Sequence, residues 1–326
     1  MSVFFASAAG WRDWWRMGLM VAGLAWARGV AAPPDALEHE GLANASAAVM
    51  LDAGILAVAS DELNVLHWYR VDEGGAVVGT LDLSGFAGVL GKATELDLEG
   101  AARIGDRVFW IGSHGRNKDG KPRPNRQRLL ATRVEAGVDG VKLVPDGRPY
   151  TRLLGALQED SRYEAIGLRR AAAQAPDAGG INIEGLAATP DGGLLIAFRS
   201  PLVDGKALLA PLLNPEGVIT GQAARLGDPI LLDLGGLGFR DAVWSGREYF
   251  LVGGGVASGG RSRLFRWSGP GGKPAGIKDT GFKHFNPEAL AVVRSEEPVE
   301  LVVLSDDGNR QKPGTKPSFR SFRVEP

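Results

Sequence analysis

Glutamate recurs in nearly the same short phrase four times along the chain: Glu40-Gly41-Leu42-Ala43, Glu99-Gly100-Ala101-Ala102, Glu184-Gly185-Leu186-Ala187 and Glu288-Ala289-Leu290-Ala291. Arg240-Asp241-Ala242-Val243 reads as a degenerate fifth copy. Carboxylates brought together can hold a hard cation, since Ca²⁺ collects roughly six to eight oxygens from carboxylates, amides, carbonyls and water. They can instead be neutralised by arginines. Asp97, Asn182 and Asn286 each stand two residues before a repeat glutamate. Strand alternation would put each on the same side of its strand as that glutamate.

Repetition at intervals of tens of residues marks a repeat architecture. Each phrase opens a β-type run, and a turn and further β-rich runs follow. After Glu99 come Arg107 to Ile111 and Arg128 to Val134, and Pro190-Asp191-Gly192-Gly193 is a turn leading into Leu194 to Phe198. Four-stranded antiparallel units repeated about an axis are propeller blades. The reading is therefore all-β: a β-propeller of about five four-stranded blades, with a sixth, divergent blade within 135–183 as the alternative. The last unit lacks a fourth strand, which a segment between Ala31 and Glu38 would supply. Thr151 to Gln174 loses the period of two and predicts a small helical insertion, about 150–175, between the second and third blades.

In such a blade the first strand starts at the edge where the second strand ends. The second strands end in Ser60-Asp61-Glu62, Ser113-His114-Gly115-Arg116-Asn117, Arg199-Ser200 and Ser305-Asp306-Asp307 with Arg310, whereas the fourth ends in Gly253-Gly254-Gly255. Glutamates and clusters should meet at one mouth of the channel, with the insertion as lid or wall. Glu40, Asp61, Glu62, Asp97, Asn182, Asp306 and Asp307 are the candidate Ca²⁺ ligands. Arg116, Arg199, Arg310, His114 and Asn117 are the candidate contacts to an anion. A structural alternative stands beside this: Glu-Gly could accept backbone N–H bonds from the next blade and set a tight turn. His39, His114 and His284 give only a weak zinc pattern. No G-x-S-x-G elbow and no complete P-loop occur.

The composition sets outer limits. With 37 basic and 38 acidic residues in 326, no charge excess points to nucleic acid. The absence of cysteine excludes disulfides, thiolate metal sites and a cysteine nucleophile. Arg12 and Arg16, the apolar run Met17 to Ala27 and the small residues Gly29 to Ala32 have the order of a cleavable signal peptide over 1–32. That run is short for a membrane span. The expectation is a periplasmic or secreted monomer with one propeller domain over 33–326. An over-long start or a packed N-terminal helix is the other reading, and would leave the protein cytoplasmic.

The blocks Asp97 to Leu129, Asn182 to Leu202 and Gly227 to Gly238 resemble a bacterial family known as domain of unknown function 3616, and Ala45 to Arg70 fits as well. Family members usually carry Asp-Asp-Glu where this chain has Ser60-Asp61-Glu62. The Glu-Gly repeat is similar to that of esterase-like phytase propellers, a calcium-using group. That likeness implies Glu99, Glu184 and Glu288 as metal-binding or water-activating carboxylates, with Arg116 and Arg199 gripping phosphate. The expected function is a calcium-dependent hydrolase of a phosphorylated or otherwise anionic small molecule. The alternatives are a propeller that binds a ligand or protein partner with structural ions only, and a calcium-dependent sugar lactonase.

Overall fold

Short apolar runs separated by glycine turns can satisfy their backbone only by pairing, and here they pair as consecutive hairpins. The computed structural model describes residues 36–326 apart from 90, 92–93, 138–139, 258–259 and 279. The candidate signal segment, 1–32, lies outside the described residues. The first blade is β2 (Ala45–Met50), β3 (Ile55–Ser60), β4 (Val65–Arg70) and β5 (Gly79–Asp82). The second is β6 (Leu98–Ile104), β7 (Arg107–Gly112), β8 (Leu129–Gly137) and β9 (Gly140–Tyr150). The third is β10 (Asn182–Ala188), β11 (Leu194–Ser200), β12 (Ala207–Leu212) and β13 (Ile230–Leu232). The fourth is β14 (Gly238–Trp244), β15 (Tyr249–Gly254), β16 (Arg263–Trp267) and β17 (Ala275–Gly276).

The fifth blade joins both ends of the described chain. Its strands β18 (Pro287–Arg294), β19 (Glu300–Ser305) and β20 (Ser318–Val324) are completed by β1 (Leu37–Glu40), antiparallel to β20. His39 locks this seam: Nε2 lies 2.8 Å from Ser321 Oγ and the ring stacks on Phe319 at 4.8 Å. The fold is thus a five-bladed β-propeller, and among the described residues there is no sixth blade. Residues 140–150 extend the second blade, and the rest of the suspected stretch holds the short helices α2 (Leu153–Glu159), α3 (Ser161–Ala165) and α4 (Leu168–Ala171).

Adjacent blades pack face to face, and a separate apolar cluster fills each of the five gaps, which is why the inner strands read as continuous apolar runs. The insertion belongs to the gap between the second and third blades. Leu153, Leu157, Tyr163 and Leu168 are fully buried there with Phe109, Ile183 and Phe198. Tyr163 donates to Gly227 O at 3.0 Å, and Arg162 pairs with Asp228 at 2.9 Å. It is a wedge between blades, not a lid.

The innermost strands β2, β6, β10, β14 and β18 contact one another in turn and close the ring. Glycine after the repeat glutamate serves this closure. A Cβ on Gly100 would lie 2.8 Å from Gly185 C, and one on Gly185 would lie 3.0 Å from Asp241 Cα. In the fourth blade Asp241 stitches instead, accepting from Ala242 N and, across the gap, Leu290 N, both at 2.7 Å. Gly100→Ala should therefore lower stability by about 1–3 kcal/mol through overpacking. Chemical denaturation checks this, and an unchanged midpoint would show that the blades yield freely.

Candidate functional site

One register irregularity recurs in every inner strand. The pairing shifts between Ala45 and Ala47, Leu98 and Gly100, Ile183 and Gly185, Phe239 and Asp241, and Pro287 and Ala289. The residues left in the bulges are Ser46, Glu99, Glu184, Arg240 and Glu288. A bulge re-aims its side chain out of the sheet alternation. All five of these side chains line one cavity of about 570 Å³ at the mouth of the channel, together with Asp61, Arg199, Lys283, Asn286, Asp306 and Arg310 among others.

Three glutamates meet three different fates. Glu184 is buried, and its Oε1 accepts from Asn182 Nδ2 at 2.6 Å and from Arg199 Nη1 at 2.7 Å. Glu288 accepts from Asn286 Nδ2 at 3.0 Å and makes a short ion pair with Arg240 Nη1. That same nitrogen lies 3.4 Å from Glu184 Oε2, so one guanidinium serves both acids. Burial opposes the charge on Arg240, but Glu184 and Glu288 more than offset this and raise its pKa. Burial, reinforced by Glu184, nevertheless pushes Glu288 up to about 8.

Glu99 has no hydrogen bond or ion pair among the described residues, and it is partly open to the cavity. Burial, then the charges of Asp97 and Glu184, push its pKa well above the usual carboxylate range. Asp97, two residues before it, does not supply the contact that the asparagines supply to the other two. With φ of 54° it turns toward Ser113 Oγ and toward Arg126 Nη1 at 2.9 Å. Burial raises Asp97 to about 7, and burial with the neighbouring Asp306 raises Asp61 to about 7.

Several expected site residues stand elsewhere. Glu40 ends the outermost strand β1, opens no inner strand, and pairs with Lys316 at 2.9 Å. Arg116 spends its guanidinium on Ala172 O and Gly120 O, both at 2.9 Å, and so pins the insertion to a loop. Asn117 caps that loop through Lys121 N at 2.7 Å. His114 is buried with Nδ1 donating to Gly112 O at 2.8 Å, and burial lowers its pKa to about 4. None of these four lines the cavity, nor does the exposed Glu62. Asp307 does, but Arg320 holds its Oδ2 and Oδ1 from Nε and Nη2, each at 2.8 Å.

Calcium does not fit this donor set. Arg240 fills the space between Glu184 and Glu288, Arg320 claims Asp307, and Ser113 and Arg126 claim Asp97. Among the described residues no three His, Asp or Glu side chains are grouped to hold a metal ion. The reading from sequence missed Arg240, Ser46 and Lys283 as site residues. Arg240 was findable, because it holds the glutamate position of the degenerate repeat, whereas only the strand register places Ser46 in the first blade's bulge. Lys283 arrives on a loop before β18 and carries no such signal.

The protein family of unknown function DUF3616 matches residues 147–278. That span contains the blocks around Glu184 and Leu231 but not those around Glu99 and Asp61. No curated protein matches the chain. Among solved structures, the major allergen Mala s 1 of Malassezia sympodialis is similar over 90% of this chain and 96% of its own, with a TM-score of 0.50 at 9% identity. Glutaminyl cyclase from Myxococcus xanthus covers 88% of this chain and 94% of its own, with a TM-score of 0.48 at 11% identity. The aldose sugar dehydrogenase of Streptomyces coelicolor, solved with PQQ bound, covers 90% and 100%, with a TM-score of 0.43 at 14% identity. At such identities the likeness is one of fold. Among the described residues no helix is long and apolar enough to cross a membrane.

The raised acids carry a stability signature. Glu288 ionises near 4.5 when unfolded and near 8 when folded, and Glu99 shifts in the same direction, so the folded state holds more protons across that interval. Stability then falls as pH rises through it. His39 and His114, lowered by burial to about 4, act in the opposite sense, but their contribution is complete above 6.5. The melting temperature should therefore fall between about pH 6.5 and 8, and fall less in Glu99→Gln. Melts at constant ionic strength test this; equal slopes in the two proteins would mean that Glu99 is ionised in the fold.

Proposed function

We propose that the mouth binds a small anionic molecule and hydrolyses it by acid–base catalysis, with Glu99 as the proton donor. The observation that carries this reading is the isolation of Glu99. Glu184 and Glu288 are tied to Arg199, Arg240 and asparagine, whereas Glu99 has no hydrogen bond or ion pair among the described residues, lines the cavity, and has its pKa raised by burial and the neighbouring acids. A neutral carboxylic acid at the floor of a polar cavity can give its proton to a leaving group and later take one from water. Lys283 has no ion-pair partner among the described residues, and Arg310 only approaches Asp307 at 3.9 Å; both stand at the cavity wall, available to hold an anion. Negative charge in the ligand is thus answered by guanidinium and ammonium groups, and no step requires calcium.

Glu99→Gln keeps the shape and hydrogen-bonding capacity of the protonated acid but cannot release a proton. Across a panel of phosphate monoesters and anionic carboxylic esters, the variant should lose about 10²–10⁴ in kcat while KM changes little. Full activity in Glu99→Gln would remove the proposed acid. Saturable thermal stabilisation by panel compounds without product would instead leave a binding propeller.

A further inference from the structure

A second cavity, of about 210 Å³, adjoins the mouth, and the two share three wall residues: Asp307, Arg310 and Arg320. Its wall is mostly the connection from β19 to β20, residues 306–317, with Glu38 of β1 added. That connection is held in shape by its own polar bonds. Gln311 donates to Ser318 O at 2.8 Å and accepts from Ser318 N at 3.3 Å. Thr315 donates to Lys312 O from N at 3.1 Å and from Oγ1 at 2.8 Å. None of these bonds uses the Lys312 ammonium or the Arg310 guanidinium.

Four basic side chains face two acids in this pocket, and both acids are engaged. Asp307 accepts from Ser305 Oγ at 3.1 Å and, at both oxygens, from Arg320. Glu38 accepts a short bond from Ser318 Oγ, and Lys316 pairs with Glu40 at 2.9 Å. Lys312 has no ion-pair partner among the described residues, and Arg310 stands 3.9 Å from an Asp307 that is already satisfied. A concave wall with positive charge in excess of its own acids selects anions, and charged donors bond them strongly. We propose that this pocket is a second anion subsite, so that the ligand of the mouth carries two anionic groups, one on each side of Arg310. This rests on the reading of the mouth as an anion-binding site. A ligand with one anionic group would leave Lys312 unanswered. A second group on the same molecule meets Lys312 at a high effective concentration.

The test titrates the full chain by calorimetry at about 0.15 M salt, where long-range attraction between exposed charges is screened. The probes are α,ω-alkane bisphosphonates of increasing chain length and the matching alkylphosphonates, whose C–P bonds resist hydrolysis. At one chain length the bisphosphonate should bind at least about tenfold tighter than its monophosphonate. Lys312 is exposed, so its replacement leaves the core intact. Lys312→Gln should lose the gain and Lys312→Arg should keep it, while the monophosphonate binds all three proteins alike. Equal affinity of the two series at every length, or a gain that survives in Lys312→Gln, overturns the second subsite and leaves the reading of the mouth standing. Failure of both series to bind overturns the two together.

Discussion

Acidic side chains aimed at a common axis repel one another, and a ring with one bulge residue per blade forces them together. Two carboxylates about 4 Å apart repel by about 4 kcal/mol at an effective dielectric near 20, a large share of a domain's net stability. The channel relieves this in three ways at once. Arg240 is shared by Glu184 and Glu288, Arg199 and Asn182 add donors to Glu184, and burial raises the pKa of Glu99, which disfavours its charge. Such a network adds little net stability compared with an apolar floor, but losing one member strands a buried charge. The arrangement of the mouth follows from that constraint.

The same inner strands must also approach closely enough to close. Gly100 and Gly185 allow it by having no side chain, and Asp241 does it with carboxylate-to-amide bonds across a gap. Bulge and following residue thus form one two-residue device: the first faces the cavity, the second faces the neighbouring blade. The structural role that Glu-Gly could have had is divided accordingly. The glycine meets the next blade's backbone, the glutamate takes no backbone N–H from it, and it is Asp241 that accepts the interblade N–H.

This division explains what could be read in the sequence. Five blades, the closing N-terminal strand and the helical insertion were legible because each follows from a period or from a missing fourth strand. The convergence of Glu99, Glu184 and Glu288 was legible because the bulge is a fixed register position. Glu40 was misleading, since its Glu-Gly sits at the end of the outer strand β1, and only the register places the first bulge at Ser46. Arg116, Asn117 and His114 were illegible because loop conformation, including φ of 56° at His114, decides where they point. The insertion's place was equally hidden, because its apolar face suits a blade gap as well as a lid.

A ring that departs from fivefold symmetry in its charges concentrates reactivity where the departure is greatest. In the third and fifth blades the residue two before the glutamate is asparagine, whose amide donates a hydrogen bond to the acid next to it. In the second blade that residue is Asp97, which adds negative charge instead of a donor and turns away to Ser113 and Arg126. The difference of one side-chain amide against one carboxylate pushes Glu99 toward its protonated form, without any change in the backbone that presents it. Fold alone predicts no activity for a propeller; this local inequality between otherwise equivalent positions is what leaves Glu99 without the donors that hold Glu184 and Glu288, and it is on that inequality that the proposed proton donor rests.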